Sequence, residues 1–106
     1  MKVILDQGTP APLRKYLANS TVDTAHELGW ATLKNGELLQ QAESAGYELL
    51  VTTDQNLKYQ QNLAGRKIAI LVLSTTSWPR IERVANKINQ AIQAAAPGSF
   101  SEFTVP

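Results

Sequence analysis

The stretch "ELLVTTDQNLKYQQNL", residues 48–63, decides how the chain is read. It opens as an apolar strand, Leu49-Leu50-Val51. Within three residues it delivers one acid, Asp54, and then a run of amides: Gln55, Asn56, Gln60, Gln61 and Asn62. The strand is a near-continuous apolar run, and "KIAILVL" at 67–73 is another. Strands that are apolar on both sides belong to a parallel sheet covered on both faces.

Working outward, "KVIL" at 2–5 reads as a first strand, ended by Asp6 and the turn residues Gly8-Thr9-Pro10. Pro10 and Pro12 suit the first turn of a helix, where a missing N–H costs nothing. That helix is expected to run to about Ala18, with Leu13 and Leu17 facing inward. "TVDTA" at 21–25 is a short second strand. "LKNGELLQQAESAGY" is a helix with Asn35 as cap, an inward stripe of Leu38, Leu39, Ala42 and Ala45, and Gly46 at the left-handed C-terminal position. A last helix is expected over 79–95, with Ile81, Val84, Ala85, Ile88 and Ile92 inward. "SEFTV" adds an edge strand or forms a tail. The alternation of strand and helix predicts an α/β fold, a three-layer α/β/α sandwich around a mainly parallel sheet of four to five strands. Residues 1–97 make one domain, followed by a tail or edge strand at 98–106.

The 106 residues suit a single domain, and 43% apolar residues supply its core. No window approaches the roughly 18 apolar residues of a membrane span. "MKVILD" lacks the apolar region and cleavage site of a secretory signal, so a cytoplasmic protein is expected. The absence of cysteine excludes disulfides and thiolate metal sites. Ten Lys+Arg against nine Asp+Glu give a net charge of +1, which lends no support to strong non-specific nucleic-acid binding. There is no P-loop and no G-x-G-x-x-G.

Sheets of this kind carry their functional residues beyond the carboxyl ends of the strands, where the strand order switches. With the first strand central and the second and third on either side, Asp6 and Asp54 overhang one crevice from strands about 4.8 Å apart. Two such carboxylates repel, and a shared proton, a basic partner or a divalent cation must offset that. Oxygen ligands alone favour Mg²⁺ or Mn²⁺. Each acid singly has a plainer reading: Asp6 as an Asx-turn residue, Asp54 as the N-cap of a short helix at 55–61. Both together, each ending an apolar strand, favour the functional one. Glu37 is a third candidate acid, but on residue chemistry alone the helix dipole, which favours a carboxylate in the first turn, is the commoner explanation. His26, the lone histidine, reads as a loop or surface residue. Trp30 is either a stacking platform for a base or, more commonly, a plug of the core.

Three motifs in this order resemble the small bacterial PIN-like proteins, the Mut7-C/VapC-like group often labelled DUF5615. They are "ILDQGTP" at 4–10, "ELGWATLKNGELLQQA" at 27–42 and "LLVTTDQNLKYQQNL" at 49–63. The resemblance implies a PIN-like fold and Mg²⁺- or Mn²⁺-dependent cleavage of RNA, as in the toxin half of a toxin–antitoxin pair. It implies Asp6 as the first and Asp54 as the later catalytic and metal-binding acid, with Glu37, or Asn35 two residues earlier, at the place of the middle one. On the ribonuclease reading Asn35, Asn56, Gln61 and Trp30 bind or orient substrate. An antitoxin protein and a second copy of the chain are the implied partners. The chain departs from many relatives by carrying Gln7 and Asn56 where they carry further acids. A non-catalytic PIN-like binding module is therefore the alternative. A receiver-like phosphotransfer domain is disfavoured, because Gln7 stands where it needs a second acid.

Overall fold

The computed structural model describes residues 1–57 and 65–106. Five strands form one sheet: β1 (Lys2–Leu5), β2 (Thr21–Thr24), β3 (Leu49–Thr52), β4 (Ala69–Leu73) and β5 (Phe100–Phe103). Their order is β2-β1-β3-β4-β5, and every neighbouring pair is parallel. The helices are a 3₁₀ segment, η1 (Ala11–Tyr16), followed by α1 (Asn35–Ser44), α2 (Trp78–Arg83) and α3 (Ala85–Ala94). The expected α/β sandwich is what the chain adopts. Residues 100–103 are an edge strand of the sheet, not a loose tail.

Alternation along the strands explains the continuous apolar runs. Val3 and Leu5 of β1 pack with Leu49 and Val51 of β3 against η1, α2 and α3, through Leu13, Ile81, Ile88 and Ile92. Ile4 and Leu50 face the other way, onto Leu38, Leu39 and Ala42 of α1. Both faces of β1, β3 and β4 are thus dry, and each fully buried Leu or Ile side chain adds about 1.5–3 kcal/mol of apolar burial.

Four local expectations are corrected. The first helix is 3₁₀ and ends at Tyr16. Pro10 and Pro12 lack N–H donors, and the bonds from Leu13 N to Pro10 O and from Leu17 N to Arg14 O span three residues each. Asn35 is the first helical residue of α1 and not its cap. Lys34 holds that position, because the Leu38 N–H bonds to the Lys34 carbonyl at 2.7 Å. Ala45 is exposed at the C-cap; the chain turns at Gly46, whose φ is 87°, and Tyr47 fills the core place instead. The last helix divides at Val84, where φ is −118° and ψ 17°. Ile81, Ala85, Ile88 and Ile92 are nevertheless all buried in one cluster. The short helix expected at 55–61 runs out of the described residues.

Candidate functional site

The sheet splits where β1 ends. Leu5 lies in register with Thr24 of β2 on one side and Val51 of β3 on the other. Its carbonyl then accepts the Ala25 N–H at 2.8 Å, while the Asp6 N–H donates to the Val51 carbonyl at 3.1 Å. From here the chains following β2 and β3 diverge, and Asp6 sits at the fork. This is the topological switch point of a 2-1-3-4-5 sheet, the customary place for ligands in such folds.

Asp6 is held from two directions. Thr9 Oγ1 donates to its Oδ1 at 2.6 Å, and Thr52 Oγ1 at the end of β3 donates to its Oδ2. Thr52 Oγ1 also accepts the Asp54 N–H at 3.1 Å. Asp54 Oδ1 accepts the N–H of Asn56 at 2.9 Å, closing an Asx turn. The polar residues buried among those described are Thr9, Thr24 and Thr52, and all three sit at this edge. Gly8 lets the β1–η1 turn press against it, since a Cβ there would lie 2.8 Å from Thr53 Oγ1.

On the β2 side, Thr24 and Glu27 make a reciprocal pair. The Thr24 N–H and hydroxyl donate to Glu27 Oε1 at 3.0 and 3.1 Å, and the Glu27 N–H returns a bond to Thr24 Oγ1 at 3.1 Å. This is a capping box closing a single turn and not a regular helix. Arg14 of η1 reaches across and bonds to both Glu27 oxygens. The guanidinium, followed by the Thr24 N–H, holds the Glu27 carboxyl down at about 2. Between η1 and this turn lies a pocket of about 520 Å³, lined among others by Asp6, Thr9, Arg14, Thr24, His26 and Glu27. A smaller pocket of about 170 Å³ joins Asp6, Gln7 and Gly8 to Trp30, Leu33 and Leu38. Asp6 and Gln7 border both.

The sequence-expected residues fall into distinct places. Asp6 and Asp54 are linked through Thr52. Trp30 is half-buried beside the smaller pocket, with its ring edge-on to Tyr47 at 6.2 Å. Glu37 is exposed in the first turn of α1, one residue before the pocket-lining Leu38. Asn56 is exposed and contributes its backbone N–H to Asp54. Gln61 and the side chain of Asn35 lie outside what is described. Arg14, Thr24 and Glu27 were not singled out as a unit from the sequence. The T-x-x-E spacing of Thr24 and Glu27 was the available signal.

Among the described residues, no three acidic or histidine side chains gather closely enough to hold a metal ion. The two strand-end acids supply oxygen donors of the kind that hard cations accept, and the link between them runs from the Asp6 carboxylate through Thr52 to the Asp54 backbone N–H. Asp6 uses two of its roughly four acceptor positions on Thr9 and Thr52. A cation held by Asp6 and Asp54 would take few protein ligands and keep water or phosphate for the rest. No family model, curated protein or solved structure matches this chain.

Proposed function

We propose that the chain is a Mg²⁺- or Mn²⁺-dependent ribonuclease of PIN-like type, working at the fork between β2, β1 and β3. The observation that carries this reading is the linkage of Asp6 and Asp54 by the Thr52 hydroxyl at the switch point of a parallel sheet. Asp6 and Asp54 hold the cation. When bound, it neutralises phosphate charge and lowers the pKa of water. Thr9 and Thr52 fix the rotamer of Asp6, so that its remaining lone pairs stay aimed at the crevice. Glu37, at the exposed start of α1, supplies a further carboxylate for the water or the cation once RNA is in place. A toxin's role in the cytoplasm, restrained by an antitoxin protein, belongs to the same reading.

The test is cleavage of single-stranded RNA with Mn²⁺ by the intact chain, by Asp6→Asn and by Asp54→Asn. Cleavage that falls at least about a hundredfold in both variants supports the assignment. Undiminished cleavage in both sinks it.

A second reading, a non-catalytic binding module, is favoured by the absence of a three-acid cluster among the described residues and by the neutral amides at Gln7 and Asn56. Calorimetric titration separates the two. No heat of binding at millimolar Mn²⁺, with no rise in Tm, selects the binding module.

A further inference from the structure

Arg14 is the one lysine or arginine among the described residues that line the larger pocket. Its partner does not depend on it. Glu27 keeps the Thr24 N–H and hydroxyl as donors whether or not the guanidinium is present. The Arg14 and Glu27 side chains are 40% and 48% exposed, and ion pairs so open to solvent contribute little. Glu27 engages two of the guanidinium's terminal N–H groups. An anion entering the pocket can therefore recruit Arg14 by its remaining donors, or draw it off Glu27 at small cost.

The rest of the pocket suggests what that anion is attached to. Its volume of about 520 Å³ falls within the roughly 300–1,000 Å³ usual for small-molecule sites. Pro10 and Ala11 give it an apolar wall, and Gln7, Thr24 and His26 give hydrogen-bonding groups. Asp6 stands at its border with the smaller pocket. A bare anion would leave most of this space unused. A planar base and a ribose would occupy it.

We infer that this pocket takes the nucleoside monophosphate unit of an RNA strand, with Arg14 as the phosphate contact and Glu27 as the competing partner from which the phosphate draws the guanidinium. The inference rests on the RNA-directed reading above and names the subsite next to Asp6. Arg14 and phosphate suit each other because a planar fork of donors matches two phosphate oxygens at once.

The test uses the full chain in EDTA, where no metal-dependent turnover occurs, followed by two-dimensional NMR of the backbone amides. The probes are the four ribonucleoside 5′-monophosphates, the corresponding nucleosides and inorganic phosphate. At least one monophosphate is expected to shift the amides of Gln7, Gly8, Thr9 and Ala11 and of residues 24–27. It should bind about tenfold more tightly than its nucleoside or inorganic phosphate. Arg14→Ala should weaken it about tenfold, Arg14→Lys by less. Glu27→Gln should tighten it by about threefold, because it releases the guanidinium. Thermal melting confirms that each variant is folded, and Arg14→Lys preserves the charge should Arg14→Ala fail to fold. Equal binding of nucleoside and monophosphate overturns the inference, as does an Arg14→Lys or Arg14→Ala variant that binds like the parent. A loss in Glu27→Gln equal to that in Arg14→Ala overturns it as well. Because the readout is binding without metal, this result and the cleavage result can fail independently.

Discussion

The Thr52 hydroxyl gives its proton to Asp6 while its oxygen accepts the N–H of Asp54. One side chain, 1% exposed, thereby couples the acids that end β1 and β3. Thr52→Val keeps the shape and removes both bonds. It should cost about 1–2 kcal/mol in urea denaturation, since a part-buried N–H and a carboxylate each lose a partner. Thr52→Ser should retain most of that. A Thr52→Val variant as stable as the parent would mean that the hydroxyl contributes no net stability.

Gly8 and Thr53 press together where β1 turns into η1. A Cβ on residue 8 would meet Thr53 Oγ1 at 2.8 Å, closer than van der Waals contact allows. Gly8→Ala should cost about 1–2 kcal/mol, and the same substitution in a Thr53→Ala background should cost much less. A double-mutant cycle measures the difference. Additive costs would place the strain elsewhere.

Acid should weaken the tie between η1 and the β2 turn. Glu27 ionises at about 2 in the fold against an ordinary 4.5. A depressed carboxyl contributes stability that is complete above the ordinary value and is lost as pH falls through the folded one. The Tm difference between the parent chain and Glu27→Gln should be steady at pH 5 and above, shrink from about pH 4.5 downwards and vanish near pH 2. Added salt should also reduce it, because both partners are solvent-exposed. A difference that ignores pH across this range would contradict the pairing.

Base should act on Tyr47. Its hydroxyl donates to Asp23 Oδ2 at 2.6 Å, and burial, followed by that carboxylate, pushes its ionisation from 10.0 up to about 12. A raised phenol contributes stability that is complete below pH 10 and disappears as pH climbs through 12. Tyr47→Phe should be about 1 kcal/mol less stable than the parent at pH 7, with the gap closing between pH 10 and 12. Tyrosinate absorbance gives an independent measure, because one phenol should ionise about two units late.

Much of the fold is legible in the chain because apolar runs and their interruptions are local signals. "ELLV" and "AILVL" carry no polar alternation, so both faces had to be covered, and the helices between them supply the two covers. Asp6 and Asp54 stand directly after apolar strands, so the end of the sheet that bears them follows from the parallel arrangement alone. The caps were less legible. Asn35 has the chemistry of a cap, yet the helical bonding starts one residue earlier, at the Lys34 carbonyl. Pro10 and Pro12 marked a helical turn without indicating that it would be 3₁₀.

The sequence by itself determined the layer architecture, the parallel sheet and the end at which its acids gather, since these follow from hydrophobic periodicity and residue order. Only the tertiary structure decided what surrounds Asp6. Thr52 lies 46 residues away from it in the chain, and Arg14 is 13 residues from Glu27. Neither pairing has a local signature. Each exists because β1 lies between β2 and β3, and that neighbourhood is settled by packing across the sheet, not by any single stretch of sequence.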